Sequence, residues 1–381
     1  MCCDMLSYRV NSLSSPNWAR EAIIYHIFVD RFYPGDGRNW LQITDIECVF
    51  GGTLWGVRDK LEYIANLGAS CIWLSPIWIS PSYHGYDVAN YNHVEPRLGG
   101  DEALHALVDA AHAHGIHILL DFVCNHLSDQ HPVFQSAYSD PDSSERDWFI
   151  FDDSEIGYRA FFNLASMPQL NLSNSDAREW IKNAARYWLR EFKIDGYRLD
   201  HATGPGMDFW SDFRWACKEA NPDGFYFGEI IDSPEMMRKY VGKLDGCLDF
   251  YLNNALRKTF GSREWTDTQF KQYISCHLEY FPDDFLMPTF LDNHDMDRFL
   301  FIAKGNKLAL RQAVSKQMEL PGPPVIYYGT EVGLSQRVGA NEGGGFHSNR
   351  TKMLWGNEQD KDLLDYYKYQ IRKRYFSRKG S

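Results

Sequence analysis

The sequence predicts an α/β protein whose eight parallel strands close into a TIM, or (β/α)8, barrel, with a small irregular insertion after the third strand. Short apolar runs, as expected of strands buried on both faces, alternate with segments in which apolar residues recur every three or four positions. Closure into a barrel is the usual way for such a sheet to lose both edges, and 381 residues suit one barrel with insertions. A doubly wound open sheet is the alternative.

Eight apolar runs supply the predicted strands. Helical periods separate several of them, such as Val57, Leu61 and Ile64 before Gly68, and a last helix is predicted over 363–375. The strands are predicted at 23–29, 71–74, 116–123, 196–199, 225–227, 247–252, 287–291 and 324–328.

The periodic pattern disappears between residues 127 and 170, where Asp, Ser, Pro and aromatic residues dominate. A stretch of this length without a secondary-structure pattern is uncommon inside a compact domain and is usually functional. We therefore expect three segments. Residues 1–126 form the first part of the barrel, 127–170 an inserted subdomain, and 171–381 the remainder of the barrel.

Composition and charge exclude several classes of function. The formal net charge is −12 and the longest basic run is short and terminal, so the sequence predicts no nucleic-acid partner. No apolar stretch is long enough to cross a bilayer, and the first residues lack the apolar core of a signal peptide. The sequence thus predicts a cytoplasmic protein with no membrane partner.

Polar side chains follow the C-terminal ends of several predicted strands, where barrel enzymes carry their active sites. Three of their carboxylates, Asp200, Glu229 and Asp295, follow three different strands. The strand-end residues are His84, Tyr86, Asp87, Asp121, Asn125, His126, Arg198, Asp200, Glu229, Asn293, His294 and Asp295.

Asp200 and Glu229 could supply the two carboxyl groups that hydrolysis of a glycosidic bond requires. In retaining enzymes a nucleophile and an acid lie about 5 to 5.5 Å apart. Arg198 precedes Asp200 by two residues on the same face of the strand, where its charge would keep Asp200 ionised. Glu229 follows an apolar run, and desolvation there would raise its pKa, as an acid requires. Each residue alone could be structural or solvated, but five polar clusters at five strand ends favour catalysis.

Four motifs and their order resemble the α-amylase superfamily: DFVCNH (121–126), GYRLDHA (196–202), GEII (228–231) and FLDNHD (290–295). The resemblance extends from IYHIFVDRF near the N-terminus, through HGYDVANY (84–91), to PPVIYYGTEVG (323–333). It implies a retaining glycoside hydrolase that acts on α-1,4-glucosidic bonds of maltodextrins or starch-like α-glucans.

The resemblance also implies roles for individual residues. Asp200 would be the nucleophile, Glu229 the acid/base, and Asp295 a third carboxylate that binds sugar hydroxyls and stabilises the transition state. The residues implied to line the subsite on the non-reducing side of the cleaved bond are His84, Tyr86, His126, Arg198 and His294.

Calcium is the metal that the resemblance suggests, as a structural ion, and no cofactor is implied for the chemistry. Asn125 resembles an asparagine that binds calcium between barrel and insertion in many relatives. Asp152 and Asp153 would either add oxygen ligands or form a solvated acidic turn. Pro34 and Thr53 stand where some relatives carry acidic ligands, so a second calcium site is not predicted.

Two departures from the superfamily pattern bear on specificity. Residues 201–204 (HATG) follow Asp200, whereas typical endo-acting α-amylases carry a Lys-His pair there. Residues 167–171 (MPQLN) are similar to the neopullulanase and cyclomaltodextrinase group, which implies transglycosylation, α-1,6 or cyclodextrin activity besides α-1,4 hydrolysis.

The sequence stops just after the last predicted helix, without the C-terminal β-sandwich usual in the superfamily, so either that domain is absent or the chain is truncated. Apolar surface on that helix would then be covered by another subunit, which makes an oligomer an option, or would destabilise the protein. Two alternatives to a hydrolase stay open: a non-catalytic binding subunit of the same fold, and an α-glucosyl isomerase or transferase. The first typically lacks catalytic carboxylates, whereas Asp200, Glu229 and Asp295 are all present.

Overall fold

A computed structural model describes residues 14–43, 45–343 and 345–379, and the contacts within the chain divide it into two units. The first unit consists mainly of Leu74–Val108 and Ile118–Cys247. The second consists mainly of Asn17–Trp73, Asp109–His117 and the residues from Leu248 onward. Each unit is described by itself below.

The strands of both units are short and mostly buried on both faces. In chain order they are β1 (Ile24–Ile27), β2 (Cys71–Leu74), β3 (Trp78–Ile79), β4 (Asn90–Val94), β5 (His117–Val123), β6 (Gly196–Asp200), β7 (Phe225–Gly228), β8 (Gly246–Cys247), β9 (Thr289–Phe290) and β10 (Pro324–Tyr327).

Helices follow most of the strands. The α-helices are α1 (Asn17–Glu21), α2 (Val29–Phe32), α3 (Leu54–Asp59), α4 (Leu61–Leu67), α5 (Gly100–Ala113), α6 (Pro132–Ser139), α7 (Ser175–Glu191), α8 (Met207–Ala220), α9 (Pro234–Arg238), α10 (Phe250–Leu256), α11 (Asp267–Tyr280), α12 (Phe299–Ile302), α13 (Lys307–Glu319) and α14 (Lys361–Lys379). Single turns of 3-10 helix lie at Pro96–Leu98, Arg146–Trp148, Phe161–Asn163, Thr330–Val332, Ala340–Glu342, Phe346–Asn349 and Gly356–Glu358, and a π-helical turn at Arg257–Gly261.

In the first unit β5, β6, β7 and β8 lie side by side in that order, and all are parallel. Every residue of β6 and β7 is buried, which explains why these segments read as continuous apolar runs. β3 and β4 form a separate antiparallel ribbon that the sequence pattern did not reveal, because β3 has only two residues.

In the second unit the order is β2, β1, β10 and β9, with β1 parallel to β10 and β10 parallel to β9. The two units together therefore contain eight strands in parallel sheets, and most of these strands lie close to the predicted positions. Within the described part of the chain, no helix combines the length and the apolar character needed to cross a bilayer.

Five of the predicted strands extend beyond the strands observed, most of them by one to three residues, and the sixth is largely wrong. The first was expected over 23–29, but β1 ends at Ile27 and Val29 begins α2. The sixth was expected over 247–252, but β8 ends at Cys247 and α10 begins at Phe250. The Asp249 side chain accepts a hydrogen bond from the Leu252 amide and so caps α10. These residues are apolar because they lie in a buried loop or helix. An apolar run alone does not distinguish a buried loop or helix from a buried strand.

The predicted insertion, 127–170, carries one helix and an aromatic core. α6 is capped by His131, whose Nδ1 accepts a hydrogen bond from the Val133 amide. The ring of Phe134 packs against Phe149 and Tyr158, each with ring centroids 4.9 Å away. The boundaries proposed for the three segments stay a prediction, and residues 1–13, 44, 344, 380 and 381 lie outside the described residues.

Candidate active site

Neighbouring parallel strands of the first unit bring four charged residues together at their C-terminal ends. In the register of β5 and β6, Asp121 is opposite Arg198 and Val123 is opposite Asp200. β7 ends at Gly228, so Glu229 is the first residue beyond it. Because parallel strands end at the same edge of a sheet, these residues meet.

Arg198 is the centre of this cluster. Its Nη1 lies 2.6 Å from Asp121 Oδ1 and 2.8 Å from Asp200 Oδ1, and its Nη2 lies 2.8 Å from Glu229 Oε2. The side chain is fully buried. Burial alone would lower the pKa of this guanidinium, but the carboxylates of Asp121 and Glu229 raise it well above its ordinary value. Arg198 is therefore a fixed positive charge that holds three carboxylates.

The predicted contact between Arg198 and Asp200 is present in the structure. The Asp200 side chain is almost entirely buried, so an unpaired charge there would be costly, and the arginine compensates for it. Glu229 is less buried and is paired with the same arginine, so its surroundings are not the purely apolar ones that we expected. The backbone amide of His201 also donates a hydrogen bond to Glu229 Oε2 at 3.2 Å.

Asp121 is a member of the cluster to which the sequence analysis gave no role. It is fully buried, and it accepts hydrogen bonds from Arg198 and, at 3.0 Å, from the hydroxyl of Tyr86. A signal was available in the sequence, since an aspartate between apolar residues of a buried strand requires a partner of opposite charge.

Tyr86 and His84, both predicted to bind substrate, belong to the same region of the first unit. Tyr86 is attached to Asp121, and its ring centre lies 6.0 Å from the Arg198 guanidinium carbon. His84 Nδ1 accepts a hydrogen bond from the Tyr86 amide, and the same nitrogen is 3.8 Å from Asp87 Oδ1. Asp87 in turn accepts hydrogen bonds from the hydroxyls of Ser80 and Ser82.

His126 is buried and stacks on Phe161 of the insertion, with ring centroids 4.4 Å apart. Burial lowers its pKa to about 3, and the neighbouring charge of His201 contributes in the same direction. His126 is thus a neutral ring at ordinary pH.

Asn125 was predicted as a calcium ligand, and that role stays a prediction. Its Oδ1 accepts a hydrogen bond from Gln169 at 3.0 Å. A Cβ atom at Gly204 would lie 2.0 Å from the same oxygen, so the amide packs closely against position 204. Across the residues that the structure describes, no group of three or more His, Cys, Asp or Glu side chains could hold a metal ion.

The other two predicted site residues, His294 and Asp295, belong to the second unit. His294 Nε2 lies 2.9 Å from Asp295 Oδ2, and Arg350 Nη2 lies 2.9 Å from Asp295 Oδ1. Arg350 also donates to the carbonyl of His294. The Asp295 carboxylate is thereby fixed from both sides. Arg350 was missed because it follows 55 positions later in a segment without periodicity.

Comparisons with known proteins show the family of the chain. The family model described as alpha amylase, catalytic domain, matches residues 26–363. "Alpha-amylase 2" of Dictyoglomus thermophilum is 44% identical over 366 residues, which are 95% of this chain and 64% of that protein. "Neopullulanase 2" of Thermoactinomyces vulgaris is 33% identical over 389 residues, 97% of this chain and 65% of that protein. The solved structure of a cyclomaltodextrinase is similar with a TM-score of 0.87 at 33% identity, covering 96% of this chain and 64% of that one.

The chain therefore belongs to the alpha-amylase catalytic-domain family. Its fold class is the predicted (β/α)8 barrel, and the resemblance inferred from the four motifs is confirmed. The chain spans 64% and 65% of the lengths of the two curated relatives, which are longer proteins.

Proposed function

We propose that the protein is a retaining glycoside hydrolase that cleaves α-1,4-glucosidic bonds of maltodextrins and related α-glucans. The observation that carries the proposal is the pair of carboxylates on one guanidinium. Asp200 and Glu229 each have an oxygen 2.8 Å from a terminal nitrogen of Arg198. Both carboxylates are thus held by one side chain, and retaining enzymes keep their two carboxyl groups about 5 to 5.5 Å apart.

Asp200 is the nucleophile in this proposal. It attacks the anomeric carbon, the glycosidic bond to the leaving sugar breaks, and a covalent glucosyl ester forms on its carboxylate. Arg198 pairs with the attacking carboxylate and orients it, Asp121 holds Arg198, and the Tyr86 hydroxyl donates to Asp121.

Glu229 is the acid and then the base. It gives its proton to the leaving oxygen, and in the second half of the reaction it takes a proton from the water that breaks the ester. Glu229 is paired with Arg198 in the structure. In the proposed cycle the protonated Glu229 must leave this contact and donate a hydrogen bond to the glycosidic oxygen instead.

The remaining predicted residues bind the sugar. Asp295, fixed by His294 and Arg350, is proposed to accept hydrogen bonds from sugar hydroxyls and to stabilise positive charge in the transition state. His84, Tyr86 and His126 are proposed to line the subsite on the non-reducing side.

The relatives suggest the range of substrates. Names such as neopullulanase and cyclomaltodextrinase support α-1,6 bonds, cyclic dextrins and transfer to sugar acceptors as further activities. No cofactor is needed for the proposed steps. A cytoplasmic location, an oligomeric state and the absence of nucleic-acid and membrane partners stay predictions.

A product time course tests the proposal. The protein is incubated with maltohexaose, the anomer first released is recorded by proton NMR, and Asp200→Asn serves as the blank. We expect α-configured maltodextrins, with a loss of at least about 10⁴-fold in the variant because the nucleophile is removed. Turnover by Asp200→Asn or β-configured products would contradict the proposal, and no turnover by the folded parent chain would favour a binding subunit.

A further inference from the structure

A stack of two flat rings lies in the core of the second unit. His26 of β1 and Trp73 of β2 have ring centroids 3.6 Å apart, and their planes are only 6° from parallel. Both residues are buried. Tyr327, which is opposite His26 in the register of β1 and β10, lies next to the stack, with its ring centroid 5.0 Å from that of His26. The three rings therefore form one closely packed layer.

The imidazole of His294 lies beside the edge of this stack. Its plane makes an angle of 82° with the ring of His26 at a centroid distance of 5.3 Å, and of 84° with the ring of Trp73 at 6.4 Å. Together with the spacing of the stack, these distances place His294 beside the edge of His26 and not over its face. Perpendicular contacts of this kind are a preferred arrangement of aromatic rings. Because His294 is buried, its neighbours in this layer fix the tilt of its ring.

His294 connects the layer to Asp295. Its Nε2 lies 2.9 Å from Asp295 Oδ2, and the Asp295 side chain is 39% exposed whereas that of His294 is 1% exposed. The carboxylate is thus open to a ligand, while its imidazole partner is enclosed. Arg350 contacts the other carboxylate oxygen at 2.9 Å. With one oxygen held by each partner, the direction of the carboxylate depends on the tilt of His294 as well as on Arg350.

We propose that His26, held flat by Trp73, is a positioning residue for Asp295. This inference rests on the proposed function, in which Asp295 stabilises positive charge on the sugar ring in the transition state. The edge of His26 fixes the tilt of His294, and His294 Nε2 directs the carboxylate towards that charge. Without the ring at position 26, Asp295 still accepts hydrogen bonds from sugar hydroxyls but is misaligned with the developing charge, which lowers the rate.

The planar shape of the side chain at position 26 is what this role requires. An aliphatic side chain of similar size could fill the space, but it could not stack flat on Trp73 and so would not hold a fixed edge against His294. A polar ring in a buried layer is also costly to desolvate, so filling the core does not by itself explain a histidine there.

Two inhibitors of the same shape separate the alignment of charge from the binding of hydroxyls. 1-Deoxynojirimycin has a basic nitrogen, which takes up a proton, where the sugar ring has its oxygen, and 1,5-anhydroglucitol keeps the neutral oxygen. Their inhibition constants are measured on maltohexaose hydrolysis, together with kcat and KM. His26→Leu and Trp73→Leu each remove one ring of the stack, and His26→Phe keeps a planar ring. His117→Leu is the matched control, because His117 also stacks on a tryptophan, Trp18, with ring centroids 3.8 Å apart.

We expect the inhibition constant of 1-deoxynojirimycin to rise roughly tenfold in His26→Leu and in Trp73→Leu, as the misalignment of one charged hydrogen bond predicts, and that of 1,5-anhydroglucitol to change by less than about twofold. We also expect kcat to fall about tenfold in both variants, with KM changed less. His26→Phe and His117→Leu should stay close to the parent values. A loss of stability alone would not change the ratio of the two inhibition constants.

Circular dichroism establishes that each variant is folded. A parent-like preference for the charged inhibitor in His26→Leu and Trp73→Leu, an equal weakening of both inhibitors, or a loss in His26→Phe as large as that in His26→Leu would overturn this inference alone. Asp295→Asn should also lose the preference. If Asp295→Asn keeps it, the role of Asp295 in the proposed function fails as well.

Discussion

At the scale of single residues, the site depends on how Arg198 is held. Three carboxylates contact Arg198, and Asp121, which also accepts from the Tyr86 hydroxyl, makes the shortest contact, 2.6 Å, without being proposed to touch the substrate. A positioning residue of this kind controls activity through geometry, because small displacements of catalytic groups cost large factors in rate.

Asp121→Asn should therefore impair catalysis more than folding. The amide can still accept from Tyr86 but no longer balances the charge of Arg198. We expect kcat to fall on the order of 100-fold with KM changed less, measured on maltohexaose. Asp208→Asn is the control, because it also removes a carboxylate paired with an arginine, Arg178, at an exposed position. Activity close to that of the parent in Asp121→Asn would show that Arg198 does not depend on it.

What could be predicted at this scale depended on local spacing. Arg198 and Asp200 are two apart on one strand, so their contact followed from strand geometry. Arg350 contacts Asp295 although the two residues are 55 positions apart and an irregular segment lies between them. No periodic pattern in the sequence predicts such a contact. The pairing of Glu229 with Arg198 was missed for the same reason, because it depends on the alignment of two strands.

At the scale of elements, the carboxyl end of α13 is stabilised by an arginine of the closing helix. Arg374 on α14 donates to the carbonyls of Met318 and Leu320 at 2.8 and 2.6 Å, and to that of Gly322 at 2.9 Å. Burial, and to a smaller degree the neighbouring charge of Arg378, lowers the pKa of Arg374 to about 9, so this residue remains charged at neutral pH.

Arg374→Met should destabilise the protein without altering the site. The methionine keeps an apolar stem but leaves three carbonyls without this donor, for which we expect a loss of about 2–4 kcal/mol in the free energy of unfolding. Urea unfolding followed by circular dichroism measures it. Arg372→Met on the exposed face of α14 is the control and should change stability by less than about 0.5 kcal/mol. Equal stability of the two variants would contradict this role of Arg374.

Elements differed in how well the sequence predicted them. β6 and β7 appeared within one residue of their predicted ends, because both faces of these strands are buried and the run is bounded by turns. The sixth strand failed because the α10 helix has the same apolar composition as a buried strand, and the cap at Asp249 was not recognised as a helix start.

At the scale of the whole molecule, buried neutral histidines set the acid limit of stability. Burial lowers the pKa of His131 to about 4, below the ordinary value of about 6.5. A base whose pKa is depressed on folding contributes stability above the unfolded pKa. That stability is lost as the pH falls from about 6.5 towards 4, because the unfolded state then binds the proton more readily.

His131→Asn should make the free energy of unfolding depend less on pH in this range. Asparagine can also accept a hydrogen bond from the Val133 amide at the start of α6, but it does not titrate. Unfolding of this variant is therefore coupled to the uptake of one proton fewer. We expect the slope of unfolding free energy against pH, between pH 6.5 and 4.5, to fall by up to about 1.4 kcal/mol per pH unit. His114→Asn, at an exposed position, should not change the slope. A slope that is the same in both variants would rule out His131 as a contributor.

Membership of the alpha-amylase family was the property of the whole molecule that the sequence predicted best, because four short motifs carry it. Substrate range was not predictable to the same degree, since it depends on the shape of the loops around the site.

The central claim is that Asp200 forms a covalent bond to the sugar, and trapping that ester tests it most directly. In Glu229→Gln, α-maltosyl fluoride can still form the ester because fluoride needs little protonation, but the base for its hydrolysis is gone. After an acid quench and peptic digestion, mass spectrometry should find one maltosyl unit on the peptide that contains Asp200. A maltosyl unit on another carboxylate, or maltose of β configuration with no adduct, would contradict the claim.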